Sequence, residues 1–276
     1  MAENREYKSD VFSMLLEDKT NALQVYNALN GSSYDDPEQV EIVGLQSGVS
    51  LSIRNDAAFI VDMNLSIYEH QSTYNPNMPL RSLIYFASYL QKMIKNRDMY
   101  SPRTIRIPTP HFAVFYNGLA DMPDREVIRL SASYEKPTDQ PELELKCTVY
   151  NINPDKDREF LDKCSIIDEY TQFVEAVRGY EGEDPEDSVA RAIDYCIANN
   201  ILVDFLKKNR AEVLKVMTID MTFERREELF RKEEREIGHT EGVDYVIKSA
   251  IASGRTPEEI ASFTGIPLEE VLRHVK

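Results

Sequence analysis

The chain has 276 residues, of which 42% are hydrophobic and 29% are charged, and its formal net charge is -16. This composition excludes a largely disordered polypeptide, because enough apolar surface is available to bury a core. No apolar run approaches the roughly 18 residues that would span a bilayer, and the first ten residues, MAENREYKSD, are rich in charge, so we expect a cytoplasmic protein that does not enter a membrane.

The predicted elements of the first half alternate between helices and strands. Apolar spacing and turn residues predict a first helix at 9–30, interrupted along its length, a strand at 40–45 and a β-hairpin at 57–68. A second helix at 80–94 and three further strands at 112–116, 127–130 and 143–150 follow. Gly31 stands where the cap of the first helix is expected. This order predicts an α/β core with a mixed sheet flanked by helices.

The second half is predicted to be helical, over residues 160–179, 185–199, 201–215 and 221–237, the last of these highly charged. Residues 244–276 predict a small helical unit that resembles a helix-turn-helix, in which Thr256 caps a helix and Gly265 breaks the chain. We therefore divide the chain into a core (1–155), a helical extension (156–240) and a terminal unit (241–276). The terminal unit opens its second helix with Glu269 and Glu270, so packing is favoured over DNA binding.

Three cysteines, Cys147, Cys164 and Cys196, lie far apart in the sequence without a C-x-x-C pair. Neither a disulfide framework nor a zinc knuckle is indicated by such spacing. We expect reduced, buried thiols.

Two carboxylates and an amide flank the predicted hairpin. Asp56 precedes its first strand, and Glu69 and Gln71 follow its second. A two-residue turn at Met63-Asn64 would pair Asp62 with Leu65, Ala58 with Glu69 and Asp56 with Gln71. That register places Asp56, Glu69 and Gln71 on one face, next to the apolar side chains of Leu65 and Ile67.

Carboxylates beside buried surface need a compensating charge, and Mg²⁺ accepts one or two carboxylates together with water and phosphate oxygens. Such a cation activates water for phosphodiester hydrolysis. The same spacing also arises where polar side chains simply solvate the ends of strands, and the pattern by itself favours this simpler interpretation.

A more specific indication comes from the strings NDAAFIVD at residues 55–62 and YEHQSTYNPNMPLR at residues 68–81. Together with IPTP at 107–110, FYNG at 115–118 and ILVDFL at 201–206, they closely resemble the recombination-promoting nuclease and transposase-like family of the PD-(D/E)XK nuclease superfamily. The resemblance extends over residues 7–235.

The resemblance implies a restriction-endonuclease-like core that binds Mg²⁺ through Asp56 and Glu69 and hydrolyses DNA, with a link to recombination or mobile elements. The superfamily pattern has a lysine two residues after the glutamate, and this chain has Gln71 there, as members of the family that it resembles often do. Glutamine can orient a water molecule but supplies no cation. A third acidic ligand is expected from Glu17 or Glu41, between which the sequence does not choose.

Other polar residues of the motif have alternative roles. His70 is predicted on the opposite face from Glu69, as a core histidine rather than a general base. Arg81 is expected to hold either a phosphate or Glu69, and an ordinary structural ion pair is equally compatible. Tyr74 and Asn75 are candidates for substrate contact or for loop formation.

The rival functional hypothesis is a catalytically inactive protein that keeps the nuclease fold to bind DNA or protein. The missing lysine and the net charge of -16 favour this alternative, since phosphate binding requires clustered cations. If DNA is the partner, we expect weak affinity or a local basic patch. The C-terminal helical region is a candidate for self-association into a homo-oligomer.

Overall fold

The computed structural model describes residues 10–43, 57–94, 102–180 and 184–273, with the backbone alone described for residues 10, 220–241 and 270. The chain divides into two compact units, Met1–Asp220 and Met221–Lys276. The three-part division made from the sequence stays a prediction.

The described elements of the first unit are helices and strands in the expected alternation. In chain order they are α1 (Asp10–Leu16), α2 (Lys19–Asn30), β1 (Glu41–Ile42), β2 (Ala57–Val61), β3 (Asn64–Gln71), α3 (Met78–Met93), β4 (Thr109–Tyr116), β5 (Arg125–Arg129), β6 (Lys146–Asn151), α4 (Arg158–Leu161), α5 (Ser165–Gly179) and α6 (Pro185–Ala198). Helices α7 (Val203–Ala252), α8 (Pro257–Thr264) and α9 (Leu268–Arg273) follow. The predicted α/β class is confirmed.

The six described strands form one mixed sheet in the order β1-β2-β3-β4-β6-β5. Strands β1, β2 and β3 are antiparallel neighbours, β4 lies parallel to both β3 and β6, and β5 pairs antiparallel with β6. Parallel neighbours require a crossover connection, and α3 lies within the one that joins β3 to β4. The N-terminal end of α3 therefore follows closely on the end of β3.

Each face of the sheet is covered by helices. On one face, Tyr85 of α3 packs with Leu65 and Ile67 of β3. On the other face, Phe12 of α1 lies 5.3 Å from Phe115 of β4, measured between ring centroids. Because side chains alternate along a strand, odd-numbered residues of β3 face α3 and even-numbered ones face α1.

The first helix is interrupted, as the sequence predicts. Asp18 accepts hydrogen bonds from the backbone N–H groups of Thr20 and Asn21 and so caps α2. Gly31 ends α2 in the left-handed region, at φ 63°.

The turn of the hairpin is one residue earlier than predicted. Val61 pairs with Asn64, so the turn residues are Asp62 and Met63, and Ala58 pairs with Ile67 rather than with Glu69. Both turn residues have positive φ, 45° and 61°, as a two-residue hairpin of this twist requires. The Asp62 carboxylate accepts a hydrogen bond from the Tyr34 hydroxyl at 2.9 Å, which holds the turn in place.

The register error is two residues, and an even shift keeps every side chain on its predicted face. The predicted pairings of Asp62 with Leu65 and Ala58 with Glu69 are wrong. The common face of Leu65, Ile67 and Glu69 is correct.

Two helices expected over residues 201–215 and 221–237 are one helix, α7, with a non-helical backbone at Asn209. No glycine or proline stands between residues 203 and 237 to end it. None of the described helices is long and apolar enough to cross a membrane.

The second unit contains a small core of Ile247, Ile260 and Val271. Thr256 and Glu259 form the predicted capping box of α8, and Gly265 ends that helix at φ 73°. The predicted start and end of α8 are therefore confirmed, while the role of the terminal unit stays a prediction.

The observed turn leads to a stability prediction. Met63 is exposed and has φ 61°, so Met63→Gly removes strain and should raise the free energy of unfolding by about 0.5 to 1 kcal/mol. Urea denaturation monitored by circular dichroism measures the change.

Asn64→Gly is the matched control for this prediction. Asn64 is a strand residue whose amide nitrogen donates to the Asp62 carbonyl and whose amide oxygen lies 3.2 Å from His111 Nε2. Its replacement should destabilise the protein by about 1 kcal/mol. A stabilising Asn64→Gly with a neutral Met63→Gly would contradict the observed turn.

Candidate functional site

Glu69 is a buried carboxylate near the end of β3. Only 2% of its surface is exposed, and it follows the buried Leu65 and Ile67 on the face that meets α3. A carboxylate in such a position needs a partner that offsets the cost of removing it from water.

Arg81 of α3 provides a partner for Glu69. Its Nη2 donates to Glu69 Oε2 at 3.0 Å and to the Tyr85 hydroxyl at 2.9 Å. Tyr85 is 1% exposed and lies four residues further along α3, where it reaches the same face of the helix. Arg81 was expected to hold either a phosphate or Glu69, and the structure contains its contact with Glu69.

Gln71 lies two residues after Glu69 on the same face of β3. Its Nε2 donates to Met78 Sδ at the start of α3, and its carbonyl accepts from the Asn117 N–H at 2.9 Å. Its amide is thus next to the carboxylate along the strand, as predicted, and it brings no positive charge.

Cys147 of β6 faces the same helix. Its thiol donates to Ser82 Oγ at 3.4 Å, and both residues are buried. Burial raises the pKa of Cys147 to about 11; the Ser82 hydrogen bond opposes the rise and the negative charge of Glu69 adds to it. The charge of Glu69 thus contributes to the raised pKa of Cys147 on the same face of the sheet.

Asp56, the predicted partner of Glu69, lies outside the described residues. Its neighbour in sequence, Ala57, pairs with Tyr68, the residue directly before Glu69. The sharing of a cation by Asp56 and Glu69 stays a prediction. Among the described residues, no three or more His, Cys, Asp or Glu side chains are grouped so that they could hold a metal ion.

Neither proposed third ligand is brought beside Glu69. Glu41 is opposite Ile60, which is opposite Leu65, and Leu65 is four residues, or about 13 Å along the strand, from Glu69. Glu17 is exposed and follows α1, which packs on the other face of the sheet.

His70 lies on the face opposite Glu69, as expected. Its ring stacks on Phe12 at 5.2 Å and meets Tyr170 edge-on at 5.4 Å, and His70 Nε2 is 3.3 Å from the Tyr170 hydroxyl. These contacts favour a core histidine over a general base acting beside Glu69.

Tyr74 and Asn75 make contacts within the protein. The Tyr74 hydroxyl donates to Glu126 at 3.3 Å. The Asn75 side-chain oxygen accepts from the Asn77 N–H at 2.9 Å, directly before α3 begins. Loop formation, one of the two roles predicted for Asn75, therefore accounts for this residue.

The donor groups fit a magnesium site in part. A carboxylate and an amide oxygen are ligand types that Mg²⁺ accepts, and the described residues supply one of each on a single face, Glu69 and Gln71. A second carboxylate is required from Asp56 for the predicted pair.

Sequence reasoning missed Tyr85, Ser82 and Cys147. The spacing of four residues between Arg81 and Tyr85 is a signal available from the sequence, since it predicts side chains on one side of a helix. Cys147 has no local signal of this kind, because only the pairing of β6 with β4 brings it to this face.

Comparisons of the chain with protein-family models, with curated proteins and with solved structures find no significant match. The family resemblance therefore rests on the motifs at residues 55–62, 68–81, 107–110, 115–118 and 201–206.

The buried thiols generate a prediction about pH. Burial raises the pKa of Cys147 and Cys196 to about 11 and that of Cys164 to about 12. The folded chain thus holds these protons more tightly than the unfolded chain, whose thiols ionise near about 8.5. Their contribution to stability is complete below that pH and should be lost as the pH rises towards 11.

A thiol-reactive disulfide reagent at pH 8 checks the same point. All three cysteines should react quickly in denaturant and slowly in the native protein, because the thiolate is the reactive form. Rapid native reaction of any one thiol would show that it is exposed.

Proposed function

We propose that the chain is a metal-dependent DNA endonuclease that hydrolyses phosphodiester bonds in a recombination or mobile-element context. The observation that carries the proposal is the buried Glu69 carboxylate near the end of β3, followed on the same face by Gln71. It is the position that the resemblance implies for a metal-binding glutamate.

The order of elements supports the proposal. From α1 to β4, the chain forms a helical segment and then three antiparallel strands. A crossover helix and a parallel strand come next. We propose that this is the restriction-endonuclease-like core that the resemblance implies. Fold alone does not fix function, so any activity depends on the residues of the site.

In the proposed site, Asp56 and Glu69 bind Mg²⁺ and Gln71 orients the attacking water. Mg²⁺ held there would supply Lewis-acid chemistry for phosphodiester hydrolysis. Glu69 offers a carboxylate held by buried packing, and its strand fixes the direction in which it points. Gln71 positions water through an amide that can donate and accept hydrogen bonds.

The net charge of -16 shapes the expected substrate binding. Repulsion from the DNA backbone slows association, and affinity should fall further as salt weakens the local cationic contacts. We propose that binding is weak without the cation and improves when the carboxylates are neutralised.

A second candidate is a catalytically inactive protein with this fold that binds DNA or protein. It is favoured by the contact of Arg81 with Glu69, because a guanidinium at 3.0 Å offsets the buried charge without a metal ion. The uncharged Gln71 supports the same alternative.

A plasmid-nicking assay tests the proposal. Wild-type protein should convert supercoiled plasmid to open-circular and linear forms with Mg²⁺ and should lose the activity in a chelator. Asp56→Ala and Glu69→Gln should each lower the rate by at least about a hundredfold, since each removes a metal ligand.

Glu142→Gln is the matched control, because Glu142 is exposed and precedes β6. It removes one negative charge and should leave the rate unchanged. Circular dichroism confirms that each variant is folded. Full nicking by purified Asp56→Ala would refute the proposal, and a wild type that binds no Mg²⁺ in calorimetry would support the inactive alternative.

A further inference from the structure

Arg81 is the more exposed partner of a buried carboxylate. The Glu69 side chain is 3% exposed, whereas the Arg81 side chain, whose Nη2 contacts it at 3.0 Å, is 31% exposed. Any ligand that reaches Glu69 from the side of Arg81 therefore meets the guanidinium first.

Arg81 also has an anchor that does not depend on Glu69. Its Nη2 donates to the hydroxyl of the buried Tyr85, and its guanidinium carbon lies 5.9 Å from the Tyr85 ring centroid. If the carboxylate takes another cation, the guanidinium is repelled from it and is still held near the site by Tyr85.

The sequence leaves the site short of a positive charge. Gln71 stands where the superfamily pattern has a lysine, and the amide of Gln71 is uncharged. Arg81 supplies a planar cation within hydrogen-bond reach of Glu69. The paired N–H donors of a guanidinium group can bind a phosphate as well as a carboxylate.

We infer that Arg81 is a further functional residue of the site, with two alternating partners. In the metal-free protein it neutralises Glu69. When a divalent cation binds Glu69, Arg81 leaves the carboxylate and binds a phosphate of the DNA. This inference rests on the proposed nuclease function and adds the residue that replaces the missing lysine.

Competition for Glu69 can be measured without activity. Mn²⁺ serves as the probe, and its binding to wild type, Arg81→Gln and Arg81→Lys is followed by electron paramagnetic resonance. Arg81→Gln should bind Mn²⁺ about tenfold more tightly than wild type, because the competing charge is gone. Mn²⁺ should also raise the melting temperature of Arg81→Gln more than that of wild type.

Cleavage gives the second measurement. With saturating Mg²⁺, Arg81→Gln should raise the KM for plasmid and lower kcat, although the metal binds more tightly. Arg81→Lys keeps the positive charge but loses the paired N–H donors of the guanidinium group. Its Mn²⁺ affinity should therefore stay near that of wild type while its KM for plasmid rises. Tighter metal binding combined with poorer cleavage is not expected of a merely structural ion pair.

The outcomes separate this inference from the proposed function. Unchanged Mn²⁺ affinity in Arg81→Gln, in a protein whose Glu69→Gln variant loses the metal, overturns the role of Arg81 alone. A wild type that binds no Mn²⁺ overturns both. If Arg81→Gln does not fold, Arg81→Lys decides: an unchanged KM for plasmid overturns the inference.

Discussion

The structure around α3 depends on how one buried negative charge is compensated. Glu69 lies on the sheet surface under a helix, next to apolar side chains that exclude water. Its contact with Arg81 ties the first turn of α3 to the end of β3, across the connection that reverses direction between them. An apolar residue at position 69 would serve packing equally well, and a buried ion pair is weak evidence for stability. The contact with Arg81 therefore offsets the cost of burying this carboxylate.

The two faces of the sheet differ in the side chains that they present. The face towards α1 and α5 is built from aromatic rings, and His70 is held there by Phe12 and Tyr170. The face towards α3 contains Glu69 and Gln71 along one strand. Because side chains alternate along β3, consecutive residues of this strand lie in an aromatic layer on one face and beside Arg81 on the other.

The sequence predicted the elements of the fold better than the contacts of the site. Periodicity and capping residues located the hairpin, α3, Gly31 and the capping box at Thr256, because these depend on residues close in sequence. The turn was misplaced because Asp62 and Met63 carry no glycine to mark positive φ, and Tyr34 holds Asp62 from a distance. The contact of Arg81 with Glu69 was one of several alternatives, and the approach of Cys147 had no local signal. Asp56 lies outside the described residues, so its pairing with Glu69 remains a prediction.

Strand β5 closes one side of the sheet, and its composition affects how the protein behaves at high concentration. Arg125 and Arg129 stand at its two ends, and Glu126 lies between them. Arg125 is further held by two hydrogen bonds to the buried Asp157, at 2.6 and 2.8 Å. Charged, anchored side chains on an outer strand oppose the addition of a foreign strand and so protect the native state from edge-to-edge aggregation.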